Sequence, residues 1–556
     1  MLNKRKQQYC TIAVKSERLL LLMKNECQCA CPCVCHHCIV KLGPHSYFNT
    51  IQSENSYTLY TAMITLALIG TVVLLAVFAF YKYMTANHGV FKKMGIEHPP
   101  TSWFFGNFNL AIKYGVFEAQ KIFYNKYKDK KVYGWYDSRK PVMVVRDLDM
   151  IKDIFVKNFA SFTDRYTLFD FNKPFRDNLL NLRGEHWKHV RNIVTPTFSS
   201  GRIKKMTSHI HKNTKVFLEN IQQMYETGQE VELRDLSAAF TLDVIASTGF
   251  GLEINTLKNP QNKFATEAQK VINPNPVLFT FVLFIPELSK FFSTLGFPIV
   301  PQKSLDYFAQ VVDQIIEERK RDGLHGKVND FLDLLMNAEK DEEQMEQREL
   351  TRSELHAQAL LFIFAGFDTT ATVLSFTLFF LAMNPEVLKK AQQEVDAKCG
   401  QGLPNYDTAQ ALTYLDMCIN ESIRVASPAI FINRRCVQDT NIQGIHIPKD
   451  MIILIPICAI HSDPEIYPDP DKFDPERFNS ENKASRHPYA HLPFGQGPRN
   501  CIGMRLALLK LKIALAALLQ KFSPVPCSKS VYPIKLSKVQ PRAQDGLWVK
   551  FEQRKK

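Results

Sequence analysis

FGQGPRNCIG, residues 494–503, is the most informative stretch of this chain. A single cysteine, Cys501, stands in this short glycine-rich loop, and helix-forming residues 504–520 follow at once. A thiolate that binds a metal needs its negative charge stabilised, and backbone N–H groups beside a helix N-terminus provide that. Glycines leave room for a flat ligand to approach the backbone, and Arg499 is placed to meet an anionic group on the same ligand. We therefore predict Cys501 as a metal ligand; a free cysteine in an ordinary loop is the alternative.

A second motif lies inside a long helix predicted from Thr351 to Asn384. Thr351 and Glu354 have the spacing of a capping box, and Asn384-Pro385 ends the helix. The sequence AGFDTT, residues 365–370, is unfavourable inside a helix. Its glycine would leave room over a flat ligand, and its acid–hydroxyl pair, Asp368 and Thr369, can relay protons to bound oxygen. The alternative is a solvent-exposed polar face, which the surrounding phenylalanines and leucine disfavour.

Two further groups of residues combine charge with aromatic side chains. Trp187 and Arg191 lie four residues apart on one predicted helix face, where both can donate to a carboxylate. Glu421 and Arg424 lie three apart on another helix, and Arg477 follows in the sequence FDPERF at 473–478. Taken alone, each group is typical of an exposed surface.

Together these motifs resemble those of the cytochrome P450 family. Residues from about 131 to 507 match it densely. The run from Trp187 to Met206 is similar to the microsomal branch that contains the drug- and steroid-oxidising third family and the thromboxane synthases. The resemblance implies a mainly α protein with small β-sheets (α+β), the cytochrome P450 fold, preceded by an N-terminal transmembrane helix.

The resemblance also implies a role for each site residue. Haem b is expected, with Cys501 as its axial thiolate and Asp368 and Thr369 as catalytic residues. Glu421, Arg424 and Arg477 are expected to be structural. The expected haem contacts are Trp187, Arg191, Arg434, Arg499, Phe494, Gly503 and Arg165, and the expected substrate-pocket residues are Phe364, Ala365, Ala429 and Ile430. The chain departs from the family pattern at Ser427-Pro428, where the proline comes one residue late.

The implied activity is oxygen activation with electrons from NADPH, delivered through NADPH-cytochrome reductase, and hydroxylation or epoxidation of a small lipophilic substrate such as a steroid, fatty acid or xenobiotic. Cytochrome b5 is a further expected partner. An acidic reductase would dock on basic residues of the cysteine side, namely Lys188, Lys204, Lys205, Arg505 and Lys510. Two alternatives stay open: a reductase-independent haem-thiolate isomerase of the thromboxane-synthase type, and a non-catalytic haem-binding protein.

The chain divides into four predicted parts. Residues 58–81 form a transmembrane anchor, since Thr58–Phe80 is uncharged and would be about 34 Å long as a helix. Residues 82–100 form a linker ending in His98-Pro99-Pro100, and residues 101–556 form the catalytic domain. Residues 1–57 are an extension that is disordered or wrongly joined; their alternating cysteines also allow a metal-binding or lipidated cluster. The basic residues after the anchor predict a single-pass protein of the endoplasmic reticulum with its catalytic domain in the cytosol.

Composition and patterning add coarser expectations. The formal net charge is +14, but basic residues are spread along the chain, which favours a membrane surface or an acidic partner, with no nucleic acid. The scattered cysteines after residue 398 predict a reducing compartment. The apolar run 276–300 is either buried core or a segment that dips into the membrane. Predicted strands are 131–136, 141–145, 429–433 and 451–455, and Asp147 is predicted to cap a short helix ending near Val156.

Overall fold

The computed structural model describes residues 44–167, 172–273, 275, 278, 281–282, 285, 288–324, 327–328, 330–338, 349–538 and 540–555, with residues 44–55 and 290 described by backbone alone. The cysteines before residue 39 lie outside these ranges. The chain divides into two compact units, Met1–Phe80 and Tyr81–Lys556.

Helices dominate the second unit, which confirms the expected fold class. Short 3-10 or π turns at Asp153–Lys157, Phe159–Phe162, Phe175–Asp177, Thr195–Phe198 and Pro475–Phe478 connect some of them. The α-helices are α1 Pro44–Thr85, α2 Val90–Met94, α3 Phe108–Tyr114, α4 Val116–Lys126, α5 Leu148–Lys152, α6 Gly184–Val194, α7 Ser200–Glu226, α8 Leu233–Phe250, α9 Lys263–Ile272, α10 Leu288–Thr294, α11 Gln302–Arg321, α12 Phe331–Asn337, α13 Arg352–Met383, α14 Pro385–Cys399, α15 Tyr406–Ala411, α16 Thr413–Val425, α17 Ile457–Ile460, α18 Ser480–Ser485 and α19 Met504–Lys521.

The strands form small sheets at the margin of the helical core. A four-stranded sheet has the order β1-β2-β7-β4, in which β2 and β7 are parallel and the other pairs antiparallel. A three-stranded sheet has the order β3-β9-β8, and β5 pairs with β6. The strands are β1 Val132–Asp137, β2 Lys140–Val145, β3 Val231–Glu232, β4 Ile432–Arg435, β5 Thr440–Ile442, β6 Ile445–Ile447, β7 Ile452–Ile455, β8 Phe522–Val525 and β9 Trp548–Gln553.

Helix α13 runs through the middle of the core, as its sequence predicts. Thr351 and Glu354 form the capping box: the Thr351 side chain accepts from the Glu354 N–H and the Glu354 side chain accepts from the Thr351 N–H. The helix is long and apolar enough to cross a membrane, yet 72% of its most apolar window is buried inside the protein. Its most extensive partner is α8.

Local sequence patterns also predicted the β1–β2 hairpin and the start of α5. The β1–β2 hairpin forms where it was predicted, and the Asp147 carboxylate caps α5 by accepting from the Met150 N–H at 2.7 Å. Strand β4 begins three residues later than predicted. The reason is a turn in which the buried Ser427 hydroxyl donates to the Ala429 carbonyl at 2.8 Å, so the chain becomes extended only afterwards.

Helix α1 contains the predicted anchor. Residues Ser56–Met94 include a window with mean hydropathy 2.7, and none of that window is buried within the protein. After the anchor, the chain packs on the β1–β2 hairpin: Phe91 is fully buried and its ring lies 5.1 Å from that of Tyr136. The Asn107 amide then ties Pro100 to this hairpin by donating to its carbonyl at 2.8 Å.

The apolar run 276–300 is exposed over much of its described part. Phe281, Phe291, Leu295 and Phe297 are each more than half exposed, whereas Ile299 is buried. Pro286, which lies within this run, is outside the described residues. The described side chains therefore favour a surface segment over buried core.

Candidate functional site

The Cys501 loop places backbone donors around the sulfur. The N–H groups of Gly503 and Met504 favour the thiolate, because α19 begins there and its first amides point back to Cys501. The side chain is open to solvent on one side and enclosed by protein elsewhere. Burial raises the pKa of the Cys501 thiol, while those amides and the cations Arg165 and Arg191 lower it.

The glycines of the loop have different structural reasons. Gly497 has φ +76° and a Cβ there would lie 2.1 Å from the Phe155 carbonyl oxygen, so backbone contact demands it. Gly495 has φ +70°, which favours glycine regardless of any ligand. At Gly503, by contrast, an added Cβ would meet nothing nearer than 3.8 Å. The loop is closed by the Cys501 N–H, which donates to the Phe494 carbonyl at 2.8 Å.

Two of the predicted arginines donate hydrogen bonds to residues of the cysteine loop. Arg191, on α6, donates to the backbone and side-chain oxygens of Asn500 at 3.2 and 3.1 Å. Arg165 donates to the Arg499 carbonyl at 3.1 Å. Burial lowers the pKa of both guanidinium groups, and the charge of Cys501 raises it again. These cations therefore lie within electrostatic reach of the sulfur.

The other two arginines are buried with aromatic neighbours. The Arg499 guanidinium lies over the Trp187 ring at 4.7 Å and donates to the Leu182 carbonyl. Arg434 is 1% exposed and lies over the Phe155 ring at 4.8 Å. Burial and the neighbouring arginines lower both pKa values, that of Arg499 to about 9.

This cluster fits an anionic ligand. Within the described part of the chain, none of Arg165, Arg191, Arg434 and Arg499 forms an ion pair with a carboxylate. Arg434 Nε and Arg499 Nε and Nη1 are buried with no acceptor there. Buried cations without counter-charges are costly. Two carboxylates of a bound ligand would supply both the missing negative charge and the missing hydrogen-bond acceptors. The two propionates of haem b have the required charge.

The AGFDTT segment of α13 is a polar break in a buried helix. Four consecutive carbonyls receive side-chain hydrogen bonds in addition to the helical ladder. Thr369 donates to Ala365 O at 2.6 Å, and Thr241 donates to Phe367 O at 3.2 Å. Lys510 Nζ donates to Gly366 O and Arg234 to Asp368 O, both at 3.3 Å. The Ala365 and Thr369 side chains, one turn apart on one face, are exposed, although Phe364, Phe367 and Thr370 beside them are buried.

Asp368 and Gly366 each contact a side chain of α8. The Asp368 carboxylate forms an ion pair with Arg234, which also donates to the Thr372 hydroxyl. A Cβ at Gly366 would lie 2.4 Å from Ile245 Cδ1 on α8. The missing side chain at Gly366 therefore accommodates helix packing and not a flat ligand, which corrects the sequence-based expectation.

Glu421, Arg424 and Arg477 come together in the interior. Arg424 donates to both Glu421 carboxylate oxygens at 2.7 and 2.8 Å and to the His461 carbonyl at 2.8 Å. Arg477 Nε lies 3.4 Å from Glu421 Oε1, and the Asp474 N–H donates to the same oxygen at 2.9 Å. These three residues join α16 to the segment that precedes the cysteine loop.

The predicted pocket residues have mixed surroundings. Ala365 is exposed, and Ala429 and Ile430 are half-buried. Phe364 is buried, with its ring 5.3 Å from that of Phe308 and 6.1 Å from that of Phe175.

The prediction that Lys510 belongs to the docking surface is wrong. Lys510 is 1% exposed and cannot contact a partner protein; the reason is that its helix, α19, is buried on this side. Lys188, Lys204, Lys205 and Arg505 are exposed, although Lys188 and Lys204 lie within 3.4 Å of acidic side chains.

Comparison with known proteins decides the family. The cytochrome P450 family model matches residues 97–544. The chain belongs to the cytochrome P450 family. It is 38% identical to cytochrome P450 3A9 of Rattus norvegicus over 466 residues, 82% of this chain and 91% of that protein. It is 39% identical to cytochrome P450 3A7 of Homo sapiens over 466 residues (82% and 90%) and 38% identical to cytochrome P450 3A13 of Mus musculus over 462 residues (82% and 91%).

The chain is therefore a haem-thiolate monooxygenase, an oxidoreductase that uses NADPH through a reductase, dioxygen and lipophilic substrates. Its cofactor is haem b, and its apolar helix before residue 94 fits a membrane anchor. These relatives give no support to the isomerase or to the non-catalytic binder.

Sequence reasoning missed Arg234, Ile245 and Lys510, which contact the polar break of α13. Arg234 and Ile245 have no local signal, because their roles arise from packing of α8 on α13. Lys510 did carry one: it is a charge in the middle of the apolar run LALLKLKIALAALL.

Proposed function

We propose that Cys501 is the axial thiolate of this monooxygenase and that Arg165, Arg191, Arg434 and Arg499 receive the haem propionates. The observation that carries this proposal is the cluster of buried guanidinium groups without counter-charges beside a cysteine that faces helix amides. Bound haem supplies the centre at which dioxygen is activated. Trp187, Phe494 and Gly503 complete the contacts.

The residues of α13 would deliver protons to that centre. Thr369 is the exposed hydroxyl on the open face of the helix, and Asp368 precedes it. Arg234 holds the Asp368 carboxylate in place, so that acid and alcohol keep a fixed relation while water carries the proton between them. Substrate would lie against Ala365, with Phe364, Ala429 and Ile430 shaping the pocket. Glu421, Arg424 and Arg477 hold the underlying structure.

The finer cellular assignments belong to the same proposal. Residues 58–81 cross the endoplasmic reticulum membrane once, residues 82–100 connect them to the domain, and residues 101–556 face the cytosol. Basic residues after the anchor support this orientation. The reductase, and cytochrome b5 as a second electron donor, dock on the exposed cations Lys188, Lys204, Lys205 and Arg505. Residues 1–57 form an N-terminal extension that precedes the anchor.

The test replaces the proposed ligand. In Cys501→Ala, the red-shifted Soret band of the reduced, carbon-monoxide-bound protein should be absent, because that shift requires thiolate ligation. The matched control is Cys527→Ala, which removes a half-buried thiol distant in sequence and should leave the band unchanged. Retention of the band in Cys501→Ala would contradict the proposal.

A further inference from the structure

Lys510 is a buried amine between the two helices that carry the site. It lies on α19, nine residues after Cys501, and is 1% exposed. Its Nζ donates to Gly366 O at 3.3 Å, within the polar break of α13. A Cβ at Gly366 would lie 3.9 Å from the same nitrogen, so the amine reaches close to the α13 backbone. Lys510 therefore links the helix after the thiolate to the segment with the proton-relay residues.

No carboxylate neutralises this amine in the part of the chain that the structure describes. The contrast with Lys512, two residues further along α19, is direct: Lys512 Nζ lies 2.8 Å from Asp416 Oδ1. Burial lowers the Lys510 pKa to about 7, and the negative charge of Cys501 raises it. With this pKa and no carboxylate beside it among the described residues, the charge of Lys510 near neutral pH depends on the charge at Cys501, which favours the protonated amine.

Several ionisable groups on the helices that pack around α19 form ion pairs or hydrogen bonds with residues other than Lys510. These pairs are Asp368 with Arg234, Asp416 with Lys512, Glu421 with Arg424, Glu394 with Lys398, Asp407 with Lys204, Asp243 with the amides of Thr256 and Leu257, and His209 with the Ser247 hydroxyl.

We propose that Lys510 is a positioning residue that couples reduction of the Cys501-bound haem to uptake of a proton at Lys510 Nζ. Reduction adds one electron, which the reductase supplies, to the centre beside the thiolate. Where Lys510 is neutral, one proton from solvent adds to its amine, no other bond changes, and the local charge is conserved. The proposal rests on the thiolate assignment of Cys501.

The charge has a predictable effect on the midpoint potential. A cation near the centre stabilises the reduced state, because that state carries one more negative charge. As pH rises through the Lys510 pKa, the protein loses this cation and the midpoint potential should fall, with a limiting slope of one proton per electron. Below that range the lysine is protonated in both oxidation states and the potential should be level.

The experiment is a spectroelectrochemical titration of the full-length haem-loaded protein from pH 6 to pH 9. Wild type should show a downward step with rising pH. Lys510→Met should lie at the low plateau throughout, and Lys510→Arg, which stays charged, at the high plateau. Lys510→Gln keeps a donor for Gly366 O without the charge, and should follow Lys510→Met. The matched control Lys512→Met removes a paired lysine and should keep the wild-type step.

Each outcome decides a separate point. The red-shifted Soret band of the reduced, carbon-monoxide-bound form reports correct folding of every variant. If Lys510→Met lacks this band, Lys510→Gln takes its place as the uncharged variant. A wild-type-like step in Lys510→Gln or Lys510→Arg overturns the inference. A band in wild type with a pH-independent potential also overturns it while leaving the thiolate assignment intact. Absence of the band in wild type defeats the thiolate assignment itself.

Discussion

Two fully buried arginines show how a structural cation differs from one that awaits a ligand. Arg424 uses its Nε, Nη1 and Nη2 groups on the Glu421 carboxylate and nearby carbonyls. Arg434 is equally buried, yet its Nε has no acceptor and no carboxylate pairs with it in the described residues. A folded chain keeps an unsatisfied buried donor at a cost of about 1–3 kcal/mol. That cost is consistent with a binding role for Arg434 and a structural role for Arg424.

Two adjacent threonines on α13 differ in exposure and in hydrogen bonding. Thr369 is exposed and its hydroxyl donates to Ala365 O, whereas Thr370 is buried and its hydroxyl has no partner. Thr369→Val should reduce product formed per NADPH several-fold and raise peroxide release, because it removes the hydroxyl of the proposed proton relay. The measurement compares NADPH consumption, peroxide and product in a reductase-reconstituted system.

Thr370→Val is the matched control for that experiment. It removes an equivalent hydroxyl that makes no hydrogen bond in the structure, so coupling should stay at the wild-type value and stability should be unchanged or slightly higher. Equal uncoupling in both variants would mean that the relay role of Thr369 is wrong.

At the scale of elements, the packing of α8 on α13 brings the chemistry together. Arg234 and Thr241 lie on α8, and both donate to carbonyls in the polar break of α13. Small residues permit this close approach: Gly249 on α8 lies against the Phe362 ring, just as Gly366 on α13 lies against Ile245. The position of the break relative to α8 thus depends on reciprocal glycine contacts.

Gly249→Ala should weaken this packing. Its Cβ would lie 2.5 Å from Phe362 Cε1, and that ring cannot move freely because it stacks on Phe331 at 4.3 Å. Overpacking costs about 1–3 kcal/mol and alanine returns roughly 1 kcal/mol of helix propensity, so a net loss of about 1 kcal/mol is expected. The urea midpoint for loss of the red-shifted Soret band measures this change in stability. Adding Phe362→Leu to Gly249→Ala should restore part of the lost stability.

Gly201→Ala is the control for helix propensity alone. Gly201 lies in α7, where an added Cβ meets nothing within 4 Å, so the midpoint should stay the same or rise. A fall in Gly201→Ala equal to that in Gly249→Ala would remove the packing explanation.

The sequence predicted those features that depend on neighbouring residues. The cysteine loop and the capping box at Thr351 follow from short-range patterns, and the structure forms both. Lys510 was predicted to help an acidic reductase dock on the cysteine side, and only the packing of α19 against other helices reveals its burial. The Arg234–Asp368 pair spans two helices far apart in sequence, so no local pattern could predict it.

At the scale of the whole molecule, charge and apolar surface both suit a membrane-bound enzyme. The chain carries a net charge of +14, and residues Ser56–Met94 include a fully unburied apolar window. A second apolar surface occurs in the later segment with Phe291, Leu295 and Phe297, each more than half exposed. Such patches mark membrane or protein contacts more often than free surface.

A chain truncated to residues 81–556 should therefore still bind phospholipid vesicles. Burying side chains such as Phe291, Leu295 and Phe297 gains about 1 kcal/mol or more each, so replacing all three with serine should reduce vesicle binding by roughly 100-fold or more in sedimentation. Leu324→Ser is the control, because Leu324 is also exposed but follows the far end of α11, about 30 Å from the segment before it. Unchanged binding of the triple variant would show that this segment lies away from the bilayer, and that another surface of residues 81–556 binds the vesicles.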